Sequence, residues 1–126
     1  MSAPRNAIRV LVVDDDPEMA EMVAEDLNDR GFACVAFRSG REALQGLTTE
    51  RYDALVTDLN MPEIDGLALL RASRRLDPSR PVILMTAYEA ICSAIAANGQ
   101  GAYKYLVKPF RLDDLAKALA GACPGP

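Results

Sequence analysis

Five short apolar runs alternate with longer amphipathic segments along this chain, and that alternation constrains its fold more than any other feature. The runs are Ile8 to Val13 (IRVLVV), Ala33 to Phe37, Ala54 to Thr57, Pro81 to Met85 (PVILM) and Tyr103 to Val107. They are short and β-rich, and Ile8 to Val13 and Ala54 to Thr57 have the pattern of strands covered on both faces. Between them the sequence has helix signals. Asp16 can cap a first helix with Pro17 at its first position and Glu18 at the positive end of the dipole, while Ala20, Val23 and Leu27 form its inner face and Gly31 its end. Ser39 and Gly40 open a second helix with Ala43, Leu44 and Leu47 turned inward, and Tyr52 leads into the central strand. A third helix runs from Gly66 to about Leu76, with Leu67, Leu70 and Leu76 opposite Arg71, Arg74 and Arg75, and Pro78 breaks it. Glu89 to Ala97, with Ile91 and Ile95 one turn apart, forms a fourth that Asn98, Gly99 and Gly101 end. Leu112, Leu115 and Leu119 mark a last helix, and Cys123 to Pro126 (CPGP) reads as a frayed tail. Parallel strands need right-handed helical crossovers, so the expectation is one α/β domain, a doubly wound five-stranded parallel sheet with five helices.

Composition narrows the function. The chain has 126 residues, half of them apolar, which suits one compact domain. Its formal net charge of −4 argues against a nucleic-acid-binding surface on this domain. Cys34, Cys92 and Cys123 are odd in number and lack metal-site spacing, so they read as reduced thiols, the first two as small buried hydrophobes. No apolar run approaches the roughly 20 residues of a membrane span, and Met1 to Ala7 lacks the apolar core of a signal peptide, so a soluble, cytoplasmic protein is expected. The chain has no histidine, which removes Ser-His and Cys-His catalysis and most zinc sites. Its reactive groups are carboxylates, hydroxyls and lysines.

In a parallel sheet all strands deliver their last residues to one edge, where open α/β folds bind ligands. Here that edge collects Asp14 and Asp15 from the first strand, Asp58 from the third, Thr86 from the fourth and Lys108 from the fifth. Asp58 heads a turn through Asn60, Pro62, Asp65 and Gly66. Crowded carboxylates repel, so some hold protons or a cation neutralises them, and an all-oxygen acidic site suits Mg²⁺. A hard dication, a nucleophilic Asp58, the Lys108 ammonium and the Thr86 hydroxyl are the parts that phosphoryl transfer requires.

The segments VLVVDDDP, VTDLNMPEIDG, VILMTAY and GAYKYLVKPF, in this order, resemble the receiver domain of two-component response regulators from about Arg9 to Ala120. The resemblance, and not the residues alone, implies a flavodoxin-like strand order of 2-1-3-4-5. It implies Asp58 as the phosphoacceptor (4-aspartylphosphate), fed by phosphohistidine on a sensor histidine kinase or phosphotransfer protein. Asp15, Asp58 and the Asn60 carbonyl would ligate Mg²⁺, with Asp14 acting through a metal-bound water. Lys108 would pair with Asp58 and a cis peptide would join it to Pro109. Thr86 and Tyr105 would be the switch residues, working on a face built from the fourth helix, fifth strand and last helix. That face would control an output domain or partner, and a phosphorylation-dependent homodimer is compatible with it. Such a protein is a switch that assists only its own phosphorylation and dephosphorylation.

Each residue also has a plainer reading. Asp58 would be a turn acid, Asp14 and Asp15 caps like Asp16, Lys108 a solvated cation, Thr86 a helix cap, Tyr105 a core aromatic and Tyr103 packing. Lys104 stands where the family often carries an acid, which alters the charge of the signalling face. Tyr88 and Asn60, each two residues beyond a site residue, are expected to tune hydrolysis of the acyl phosphate. One rival function is a haloacid-dehalogenase-like phosphatase with Asp14 as nucleophile and Asp16 as acid, but Pro17 and Glu18 break its motif. Another is a phosphate-independent pseudo-receiver that only binds partners, which the intact acidic set disfavours. Flavodoxin-like FMN binding is weaker, since an acidic loop stands where phosphate would bind. The domain is expected to span 1–126 with a core of about 8–121 and a boundary at 122–126, an ending that favours an excised amino-terminal receiver over a single-domain regulator. The output, cognate kinase, pathway and oligomeric state are not written in these residues.

Overall fold

A computed structural model describes residues 7–87 and 101–123. Its elements follow the order β1 (Arg9–Val13), α1 (Pro17–Asp29), β2 (Ala33–Phe37), α2 (Gly40–Thr49), β3 (Ala54–Asp58), α3 (Gly66–Leu76), β4 (Val82–Thr86), β5 (Lys104–Val107) and α4 (Leu112–Ala122). The expected helix from Glu89 to Ala97, with Tyr88 and Cys92, lies outside the described residues. All strand pairs are parallel, in the order β2-β1-β3-β4-β5.

Alternation of side chains along the strands divides the core in two. Val10, Val12, Ala54, Val56, Ile83, Met85 and Leu106 pack with Val23 and Leu27 of α1 and Leu115 and Leu119 of α4. On the other face Leu11, Val13, Leu55, Val82 and Leu84 pack with Ala43 and Leu47 of α2 and Leu69 and Leu70 of α3. Every residue from Val10 to Val13 is fully buried, and each such side chain contributes roughly 1.5–3 kcal/mol relative to exposure. The central strands are thereby fixed in register, and with them the level at which each chain leaves the sheet. Val12 stands between Ala36 and Val56, Asp58 pairs with Met85, and Thr86 pairs with Val107.

The caps follow the sequence. Asp16 accepts from the backbone N–H groups of Glu18 and Met19, Ser39 from Glu42, and Asp65 from Ala68. Three expectations need correction. Leu76 is half exposed because it is the last residue of α3, and the inner face is instead Leu69, Leu70 and the fully buried Ser73, whose hydroxyl has a partner in Arg80. Tyr103 was expected to pack but is 51% exposed, since β5 begins only at Lys104. Cys123 is no frayed residue: it closes α4, packs on the α1 side of the core, and its thiol donates to the Asp53 carbonyl at 3.5 Å. Cys34 is buried as expected, and burial pushes its thiol up to about 12, which leaves it unreactive.

Candidate functional site

Asp14 follows β1 directly, and its backbone N–H donates to the Phe37 carbonyl at 3.2 Å. That bond ties it to the end of β2. Its side chain is 1% exposed, accepts from the Asp16 N–H at 3.0 Å, and accepts from Lys108 Nζ at 2.8 Å. Asp15 is exposed beside it. Asp58 is the last residue of β3, and carboxylate oxygens of Asp14, Asp15 and Asp58 all lie within 4.8 Å of one another. Lys108 reaches both buried acids, at 2.8 Å from Asp14 and 3.6 Å from Asp58. The peptide bond between Lys108 and Pro109 is cis.

Three carboxylates against one ammonium leave the site short of positive charge. Burial and then the Asp14 charge push the Asp58 carboxyl up to about 6, Asp15 adding to the shift, while Lys108 and the Asn60 backbone N–H oppose it. For Lys108 burial alone would lower the pKa, but the bond to Asp14 and the charges of Asp14 and Asp58 outweigh it and the net direction is upward. The ammonium therefore stays charged at neutral pH. The oxygen donors and the deficit of cation together fit a hard divalent ion.

The loop from Leu59 to Asp65 leads from Asp58 into α3. Leu59 N–H donates to the Met85 carbonyl at 2.8 Å, Gly66 N–H donates to the Leu59 carbonyl at 3.0 Å, and Leu59 and Met61 are buried in the α2/α3 side of the core. Gly66 has to be glycine here, because a Cβ would stand 2.5 Å from the Asp58 carbonyl oxygen. Asn60 is exposed at the mouth, with its backbone N–H turned to the Asp58 carboxylate.

The structure thus brings together Asp14, Asp15, Asp58, Asn60 and Lys108. Lys108 makes the expected ion pair with Asp58 at 3.6 Å and adds a closer one with Asp14 at 2.8 Å, which the sequence did not show. Thr86 ends β4 fully buried, and its hydroxyl donates to the Ala87 carbonyl at 3.1 Å. Its backbone carbonyl accepts from Lys108 N–H at 2.7 Å, so β4 and β5 enter the site locked together. Tyr105 pairs with Leu84 and is half-buried against the α2/α3 side of the core. The sequence reading missed Phe37, whose carbonyl holds Asp14, and the approach of Gly40 to the loop. Only the Ser-Gly opening of α2 hinted at either.

The response regulator receiver domain model matches residues 10–120. The chain is 43% identical over 103 residues to the DNA-binding transcriptional regulator NtrC of Klebsiella pneumoniae, covering 82% of this chain and 22% of that protein. It is 42% identical over 123 residues to the response regulator protein FleR of Pseudomonas aeruginosa, covering 94% of this chain and 26% of that protein. The chain therefore spans about a quarter of the length of these curated relatives. A receiver domain structure from Clostridium thermocellum superposes with a TM-score of 0.88 at 30% identity, covering 92% of this chain and 94% of that one. NtrX of Brucella abortus, solved with ADP, superposes with a TM-score of 0.87 at 29% identity, covering 93% of this chain and 27% of that one. Family match, sheet order and site agree: the chain belongs to the response regulator receiver domain family, the phosphoacceptor modules of two-component signalling.

Proposed function

We propose that Asp58 is the residue that takes the phosphoryl group, from phosphohistidine on a sensor histidine kinase or phosphotransfer protein. The observation that carries this reading is the buried strand-end carboxylate with two more acids within 4.8 Å and an ammonium at 3.6 Å. Mg²⁺ would be held by Asp15, Asp58 and the Asn60 carbonyl, with Asp14 contributing through a water. When bound, the ion supplies charge neutralisation for the acids and for incoming phosphoryl oxygens. Asp58 supplies the attacking oxygen, and an acidity near 6 leaves it mostly ionised at neutral pH even before a cation arrives. Lys108 stays protonated, shared between Asp14 and Asp58, and is placed to bond a phosphoryl oxygen added to Asp58.

Thr86 and Tyr105 are the proposed switch. A phosphoryl group on Asp58 offers the Thr86 hydroxyl a charged acceptor in place of the Ala87 carbonyl. Tyr105 lies on the same face of the neighbouring strand, registered two residues before Thr86's level, and follows that displacement. Couplings of about 1 to 3 kcal/mol suffice, since they change partner affinity roughly 5- to 150-fold. The chain acts as a cytoplasmic switch that turns over only its own phosphate, with a receiver core of about 8–121 and a boundary at 122–126. Among the described residues no helix is long and apolar enough to cross a membrane. The output is an attached domain or effector protein, and the similarity to DNA-binding transcriptional regulators makes DNA binding by such a domain the leading output.

Intact mass after incubation with Mg²⁺ and acetyl phosphate tests the acceptor. One phosphoryl group on the wild type and none on Asp58→Ala supports the assignment. Equal labelling of both proteins, or labelling that survives Mg²⁺ removal unchanged, overturns it.

A further inference from the structure

The loop that carries Asn60 is held at its two ends by the Leu59 and Gly66 backbone hydrogen bonds, while Asn60, Pro62 and Glu63 between them are exposed. Glu63 sits in the left-handed region at φ 64°, a conformation that non-glycine residues adopt at some cost. What presses on this bend is the turn between β2 and α2. Gly40, the first residue of α2, lies against Ile64 so closely that a Cβ would overlap the Ile64 carbonyl oxygen and stand 2.8 Å from Ile64 Cβ. Arg41 adds an exposed ion pair to Glu63 at 2.6 Å. The turn itself is rigid. Ser39 accepts from Glu42 N–H at 3.2 Å while Glu42 reaches back to the Arg38 N–H at 3.2 Å. Its other end is Phe37, whose carbonyl holds the Asp14 backbone.

We propose that the β2–α2 turn, Phe37 to Arg41, is a positioning element for the cation site, with Gly40 its critical residue. The turn contacts both halves of the site. Through Phe37 it sets Asp14, and through Gly40 it sets how far the Asn60 loop can approach the three carboxylates. A methyl group at Gly40 cannot be absorbed by a flexible side chain, because the atom it meets is a backbone carbonyl of the loop. The loop has to retreat, and Asn60 retreats with it. The inference rests on the cation-site reading above and deepens it.

Magnesium titration followed by backbone amide NMR separates positioning from plain stability, with Gly31→Ala as the control. Gly31 lies between α1 and the start of β2, at the other edge of the sheet, and its φ of 100° makes alanine there a strain on the backbone that touches neither the turn nor the loop. Misplacing a group that orients metal ligands typically weakens binding about 10- to 100-fold. The expected result is a weakening of Mg²⁺ binding of that order in Gly40→Ala, with Asn60 and Ile64 amides displaced before any metal is added, and wild-type affinity in Gly31→Ala. Equal Mg²⁺ affinity in wild type and both variants, with only the melting temperature lowered, overturns the positioning role and leaves the site reading intact. A wild type that does not bind Mg²⁺ instead overturns the site reading, and this inference with it. Should Gly40→Ala fail to fold, the wild-type titration decides: the Gly40 and Ile64 amides must move with the same midpoint as Asn60, and their indifference to Mg²⁺ contradicts the proposal.

Discussion

Arg80 and Asp58 are equally buried, each 8% exposed, at opposite edges of one sheet. Arg80, beside the start of β4, donates from Nε to the Tyr52 carbonyl at 3.1 Å and from Nη1 to the Ser73 hydroxyl at 3.0 Å. Burial lowers its pKa, with Asp77 and Asp53 opposing, yet a guanidinium remains charged. Its acceptors are neutral and fixed by the fold. Asp58 instead faces two more carboxylates and shares one ammonium with Asp14, which holds it more closely. One edge satisfies its buried charge with atoms of the chain itself. The other leaves a deficit that a cation and a phosphoryl group can change, and that difference separates a structural charge from a responsive one.

The largest effect expected at the structural edge is from Arg80→Met. It removes two charge-assisted hydrogen bonds and leaves the buried Ser73 hydroxyl unpaired, so urea unfolding should show a loss of about 2 to 3 kcal/mol, with Mg²⁺ affinity unchanged. Reduced Mg²⁺ affinity would break the separation of the two edges.

At the responsive edge the sign reverses. The folded pKa of Asp58 is raised from 3.8 to about 6, so the folded state binds more protons than the unfolded state between those values. Stability falls as pH rises through that window, and the penalty is fully present above it. Asp58→Asn should therefore stabilise the metal-free protein at pH 7.5 by roughly 2 kcal/mol and flatten the slope between pH 4 and 6. Saturating Mg²⁺ should shrink the gap by stabilising the wild type more. A destabilised variant at pH 7.5 would contradict the crowding account.

Tyr52 sharpens the comparison, because even the structural edge has one imperfect group. Its hydroxyl is buried and makes no well-formed hydrogen bond, although burial and then the nearby Glu50 charge raise its pKa. Tyr52→Phe should leave stability unchanged or raise it by up to about 1 kcal/mol, read by thermal unfolding. The smallest effect belongs to Arg41→Ala, which removes an exposed ion pair and should leave the melting temperature where it is. A loss there would assign to the ion pair the grip that the structure assigns to Gly40.

The five strands and the acidic edge were legible because parallel topology sends every strand's last residue to one place, so Asp14, Asp15, Asp58, Thr86 and Lys108 needed no contact map to be grouped. What was not legible depends on side chains meeting across distant segments. Arg80 finds Tyr52 and Ser73 through the turn after α3, and nothing in the spacing of these residues shows it. The same pair explains the misjudged inner face of α3, where a polar Ser73 takes a core position that apolar periodicity assigns to leucine. Lys108 favouring Asp14 over Asp58 is a matter of less than an ångström, which strand order cannot resolve.

The central claim is that Asp58 is held in a carboxylate cluster short of positive charge. Following its side-chain carboxyl by carbon-13 NMR over pH, without and with Mg²⁺, tests that directly. The account predicts a midpoint near 6 in the metal-free protein and a marked lowering when Mg²⁺ is present. An ordinary midpoint near 4 without metal, unmoved by Mg²⁺, would contradict it.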